Sequence, residues 1–163
     1  MKILVTELSS IDRQTIEDHF MALARADRRL RFGGTLNDSA VRSYVANIDF
    51  DCDAVFGVLD DELRLIAAAH LARDSGNAEI GVSVLLDHRE QGIGDSLLRR
   101  GHLRARSWGV GKLFLHCLAE NSSMLHLARK NGMDITATSG QADAFLTLVP
   151  PSSQACCVQS VQI

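Results

Sequence analysis

The residues with the most chemical potential lie between Glu79 and Ser96, in the run "EIGVSVLLDHREQGIGDS". Gly92 and Gly94 stand one residue apart after an apolar stretch. Downstream, Ile93, Leu97, Leu98, Gly101, Ala105 and Trp108 recur at helical spacing. Glycines at such a strand-to-helix turn let a ligand approach the backbone closely. The first N–H groups of the helix have no intrahelical partner, so an anion is their natural occupant. Arg89 adds positive charge nearby.

Glu79 suggests a second kind of chemistry. In strand alternation it shares a face with Gly81 and Ser83, while Ile80, Val82 and Val84 share the other, so its own face carries little bulk. A carboxylate beside an open cleft can take a proton from an amine, which is mostly protonated near neutral pH. The other reading is an exposed glutamate at a strand end.

Two familiar phosphate loops do not match. A P-loop requires GxxxxGK followed by Ser or Thr, and no lysine stands there. The dinucleotide fingerprint requires a third small residue where this chain has Leu97, and it follows a first strand rather than a central one.

The elements that must hold these residues follow from periodicity. "KILVTEL" reads as a first strand, and a helix follows from Asp12 to Ala26 with Ile16, Phe20, Leu23 and Ala24 on one stripe. "RFGGTLNDS" breaks that helix and caps a second one through Val41, Tyr44 and Val45. "AVFGVL" and "LRLIAAAHLA" form a hairpin across "DDE", and "NAEIGVSVLL" is the central strand before the glycine turn. "KLFLHCLA" is a further strand and "NSSMLHLARKNG" a short capped helix. A closing hairpin turns at Ser139-Gly140, and Pro150-Pro151 opens a polar tail. The order β-α-α-β-β-β-α-β-α-β-β predicts a mixed α/β fold, a mostly antiparallel sheet flanked by helices, as one domain over 1–150 with a tail over 151–163.

Composition narrows the function classes. The chain has 163 residues, 46% hydrophobic and 23% charged, with a net charge of -3, which argues against a general nucleic-acid binder. No apolar run approaches the ~20 residues of a membrane span, and no leader is recognisable, so the expected location is cytoplasmic, away from membranes. Cys52, Cys117, Cys156 and Cys157 lack CxxC spacing, and His116 and His126 lack partners at ligand spacing, so reduced thiols and no metal are expected. The acidic run "NIDFDCDAVFGVLDDE" reads as solvated turns, or as a field that steers a cationic amine.

Arg89-x-x-Gly92-x-Gly94, with its strand before and helix after, resembles the pyrophosphate-binding motif of the GNAT superfamily of acyl-CoA-dependent N-acetyltransferases. "LFLHCLAENSSMLHLARKNGM" is similar to the family's next strand and its "N…K.G" helix. The resemblance spans Lys2 to Val149. "ADRRLRF", "NAEIGV" and "ENSSMLHLARKNGM" look most like the GNAT domains of bacterial protein-lysine acetyltransferases and their single-domain relatives.

The resemblance implies acetyl-CoA as co-substrate. The backbone of Gln91, Gly92, Ile93, Gly94, Asp95 and Ser96 would cradle its pyrophosphate with Arg89 beside it. Val84, Leu85, Leu86 and Asn121 would meet the rest of the cofactor. Glu79 would be the general base, and a backbone N–H near Val84 would meet the thioester oxygen as it gains charge. One departure stands out: the family's acid tyrosine is Ala128 here, and Tyr44, the only tyrosine, reads as a packing residue.

The implied activity is acetyl transfer to a primary amine, of a small molecule or a protein lysine, by direct attack in a ternary complex. The alternatives are a CoA-binding or regulatory module of the same fold, or a nucleotide-binding protein unrelated to CoA. A homodimer stays open as an assembly.

Overall fold

The computed structural model describes residues 2–148, so the tail over 151–163, with Cys156 and Cys157, lies outside the described residues. Seven strands form one sheet in the order β1-β2-β3-β4-β5-β7-β6: β1 (Thr6–Leu8), β2 (Ala54–Leu59), β3 (Leu65–Asp74), β4 (Asn77–Val84), β5 (Lys112–Leu118), β6 (Asp134–Thr138) and β7 (Gln141–Thr147). Every neighbouring pair is antiparallel except β4 with β5. Five helices flank it: α1 (Arg13–Ala22), α2 (Arg25–Phe32), α3 (Asp38–Ala46), α4 (Ile93–Trp108) and α5 (Ser122–Lys130). This is the expected mixed α/β class.

Each face of the sheet buries its own apolar layer. Phe56, Ile80 and Val82 pack against Leu97, Leu98 and Ala105 of α4 on one side. On the other, Val55, Leu65 and Ala68 pack against Ile16 and Phe20 of α1 and Val41 and Val45 of α3. Burying each large side chain is worth about 1.5–3 kcal/mol, so the two layers set the sheet's alternation. Local caps agree with this framework: Asn37 accepts from the Ala40 N–H at 2.8 Å at the start of α3, and Asn121 accepts from the Met124 N–H at 3.2 Å at the start of α5.

The structure differs from expectation at two places near the N-terminus. The first strand pairs only over Thr6–Leu8 rather than from Lys2. The single helix expected from Asp12 to Ala26 ends at Ala22; Leu23 and Ala24 are extended (ψ 132 and 153), and α2 begins at Arg25, so three helices precede β2. Neither residue is a helix breaker. The break is tertiary: Leu23 is buried, and the redirected α2 lies against β4 and β5. That placement brings α2 to the site.

The β4/β5 pair opens after its first residues. Its register covers Ala78 with Leu113 and Glu79 with Phe114 and goes no further along β4. On the other edge, the Leu85 N–H donates to the Ile66 carbonyl at 2.9 Å, which makes Val84 and Ala67 a non-hydrogen-bonded pair. By antiparallel alternation the N–H and C=O groups of Val82 and Val84 therefore point toward β5, into the opened gap.

Candidate active site

A cleft of about 1150 Å³ occupies this gap. Val82, Ser83 and Val84 of β4 form one wall, α2 contributes Asp27, Leu30 and Arg31, the glycine turn closes one end, and Asn121, Met124 and Leu127 stand opposite. Of the sequence-derived cofactor residues, Val84, Leu86, Arg89, Gly92, Ile93, Gly94, Asp95 and Asn121 line it. Leu85 instead lines a neighbouring cavity of about 480 Å³ beside His19, Gln91 is exposed next to Gly92, and the Ser96 hydroxyl donates to the Gly92 carbonyl at 3.1 Å.

The turn is shaped for an anion. Gly92 has φ +80, a left-handed conformation that favours glycine, and a Cβ there would meet only Ile3 Cδ1, at 3.8 Å. The Ser96 N–H to Gly92 C=O bond is the first of α4, so the N–H groups before it are free of helical partners at the positive end of a 16-residue helix. Asp95, an acid in this first turn, is taken up elsewhere: its carboxylate accepts from Asn131 Nδ2 at 2.9 Å and pairs with Arg99 at 3.1 Å.

Arg89 is held on the α2 side of the turn. Its Nε donates to the Val84 carbonyl at 3.0 Å, and its Nη2 lies 3.0 Å from Asp27 Oδ1. The arginine thus occupies the Val84 carbonyl and leaves the Val84 N–H toward the gap. Asn121 is buried; Oδ1 caps α5, and Nδ2 makes no hydrogen bond among the described residues. Ala128 is fully buried in the core, so this position presents no polar group to the cleft.

Glu79 stands apart from the cleft wall. It is exposed at the paired end of β4, opposite Ala72 and Phe114, five residues from Val84 or ~17 Å along an extended strand. It shares the α2-facing side of β4 with Gly81, over which Arg31 lies.

That face carries two polar assemblies that sequence reading missed. His19 of α1 donates from Nδ1 to the Leu65 carbonyl at 2.8 Å, which leaves Nε2 to accept the Ser83 hydroxyl at 2.7 Å. Burial pushes the His19 imidazole down to about 4, so it is neutral at physiological pH. Next to it, Arg31 Nη2 donates to the Tyr44 hydroxyl at 3.1 Å, Tyr44 donates to His70 Nδ1, and His70 Nε2 donates to Asp53 at 2.9 Å. Burial also lowers the His70 imidazole, against the opposing pull of Asp53. Tyr44 does pack, edge-on against Phe20 and Phe32, but its hydroxyl is also a link in this chain. The available signal was the low-bulk Glu79/Gly81/Ser83 face; the partners on α1, α2 and α3 had no local mark.

Cys117 is buried, and burial raises its thiol, as suits a structural cysteine. Among the described residues no group of three or more His, Cys, Asp or Glu could hold a metal ion, and no helix is long and apolar enough to cross a membrane.

An opened parallel strand pair, a glycine turn and a helix start thus face one cleft. The family model of the Acetyltransferase (GNAT) family matches residues 22–133, and the chain belongs to that family, as an acyl-CoA-dependent N-acetyltransferase. Solved structures repeat the fold at low identity. The GNAT domain of S. lividans PAT is similar with a TM-score of 0.76 at 17% identity, over 88% of this chain and 89% of that one. A GNAT superfamily phosphinothricin acetyltransferase from Sinorhizobium meliloti, solved in complex with AcCoA, reaches 0.73 at 15% identity, over 91% and 89%. The paia N-acetyltransferase from Thermoplasma acidophilum, in complex with coenzyme A, reaches 0.66 at 18% identity, over 90% and 99%. No curated protein sequence matches this chain.

Proposed function

We propose that this protein transfers acetyl from acetyl-CoA to a primary amine by direct attack in a ternary complex, with Glu79 as the general base. The observation that carries the reading is the cleft itself: the free β4 edge at Val82 and Val84 runs into the unpartnered N–H groups of α4. Those groups suit the two ends of one ligand, an amide-bearing arm and a pyrophosphate.

The donor set fits acetyl-CoA. The backbone from Gln91 to Ser96 would hold the pyrophosphate, the free β4 edge at Val82 would pair with the arm, Val84 and Leu86 would line it, and Asn121 Nδ2 would donate to it. When bound, acetyl-CoA supplies a thioester-activated acetyl group. The Val84 N–H is the chain's donor for the oxygen that gains charge during attack. Glu79 removes the amine proton through water, since it is not among the residues that line the cleft. Ala128 supplies no acid at the position of the family's tyrosine, and the departing thiolate takes its proton from water or from another residue of the cleft.

Ala128 favours one second reading, a module that binds CoA without turnover. Thioester consumption against a panel of small amines and lysine peptides, alongside calorimetry with CoA, separates the two. Binding with turnover supports the transferase, and binding without turnover supports the module.

A further inference from the structure

We propose that the acceptor bears a carboxylate next to its amine, as an amino acid does, and that Arg31 is the residue that holds that carboxylate. This rests on the acetyl-transfer reading and narrows its acceptor.

Arg31 lines the cleft, and its charge has no direct counterion there. Of the other arginines nearby, Arg89 pairs with Asp27 at 3.0 Å and Arg29 with Glu120 at 2.6 Å. Lys130 of α5 also lines the cleft without an ion pair among the described residues, but no aromatic ring or hydrogen-bonded chain among them holds it as Arg31 is held. Among the described residues Arg31 makes no ion pair, its one hydrogen bond goes to the Tyr44 hydroxyl, and its buried Nε has no acceptor. The guanidinium carbon lies 4.8 Å from the Phe32 ring centre, 5.4 Å from Phe20 and 5.7 Å from Tyr44. Ring faces attract a cation but leave its N–H fork unmatched. A planar carboxylate is the partner this fork fits best.

The fork is also held in place. The chain from Tyr44 through His70 to Asp53 fixes its back, and the missing side chain of Gly81 makes room for it: a Cβ there would lie 2.5 Å from Arg31 Cζ. Gly81 and Glu79 share one strand face at a spacing of ~7 Å. A carboxylate on Arg31 therefore leaves an adjacent amine over the strip served by Glu79. The same positive charge repels polyamines, and a peptidyl lysine brings no carboxylate beside its amine.

The test compares proteinogenic L-amino acids with their carboxamides as acceptors. For the wild type, KM for the best free amino acid should be about 10- to 100-fold below that of its amide, the range expected for hydrogen bonds to a charged partner. Arg31→Gln should abolish this preference while the KM for acetyl-CoA and the KM for the amide change little, and Arg31→Lys should restore part of it. Gly81→Ala keeps the charge but displaces the guanidinium, and it carries the test if Arg31→Gln fails to fold. It should raise KM for the amino acid selectively.

Preference for amides, polyamines or lysine peptides in the wild type would overturn the Arg31 assignment and leave acetyl transfer standing. So would an unchanged preference in both variants. Absence of amine-dependent thioester consumption with every acceptor would overturn both readings.

Discussion

His19 Nε2 lies 2.7 Å from Ser83 Oγ across the interface of α1 and β4, and the Leu65 carbonyl 2.8 Å from Nδ1 fixes the tautomer that makes Ser83 the donor. The imidazole is buried neutral, with its folded value pushed down to about 4 from an ordinary 6.5. The unfolded chain therefore binds more protons than the folded one between these two values. This contribution to stability is complete above about pH 6.5 and is lost as pH falls toward 4, amounting to roughly 3 kcal/mol. Urea midpoints from pH 7.5 to 4.5 should drop, and His19→Gln should flatten the drop. Equal slopes in both proteins would show that His19 does not govern acid lability.

Gly92 and Gly94 should respond differently to a side chain. Gly92 has φ +80, so Gly92→Val should cost roughly 1–2 kcal/mol in stability as well as weaken acetyl-CoA binding, because a branched residue strains the left-handed turn that aims the N–H groups assigned to the pyrophosphate. At Gly94 a Cβ would make ordinary contact with Leu127 Cδ2 at 3.5 Å and Val84 Cγ2 at 3.9 Å. Gly94→Ala should keep both fold and affinity, as thermal melts and calorimetry can show. Unchanged affinity in a folded Gly92→Val would remove the phosphate assignment.

Asn121 has a structural and a binding role that substitution can part. Oδ1 caps α5, whereas Nδ2 is the group assigned to the cofactor arm. Asn121→Asp keeps a capping oxygen and loses the donor, so melting should hold while KM for acetyl-CoA rises. Asn121→Ala should lower both stability, by about 1 kcal/mol, and affinity. If the aspartate variant bound acetyl-CoA as tightly as wild type, Asn121 would be a cap alone.

Much of the frame was legible because it is written in local patterns. The alternation of "NAEIGVSV", the glycine turn and the Asn121 cap each follow from short-range chemistry, and β2, β4 and α4 lie where those patterns place them. The break at Leu23-Ala24 was not legible, because no residue there disfavours a helix; the sheet on which α2 packs decides it. The Arg31–Tyr44–His70–Asp53 chain escaped for the same reason. It joins two helices, a strand and the loop before β2, residues up to 39 positions apart that no spacing rule connects. Ala128 could be read as a departure from the family, but its complete burial is a fact of packing.

The central claim is tested most directly by the turnover of Glu79→Gln. The substitution keeps shape and hydrogen-bonding reach but removes the carboxylate that accepts the amine proton. Turnover at neutral pH with saturating acceptor should fall about 100- to 10,000-fold, the usual worth of a general base. The KM for acetyl-CoA should stay near wild type, since the cofactor is assigned to the stretch from Val84 to Ser96 and to Asn121. Part of the rate should return at high pH, where the free amine is already neutral. A variant that turns over as fast as wild type at neutral pH would contradict the account and leave Glu79 an ordinary exposed residue at the start of β4.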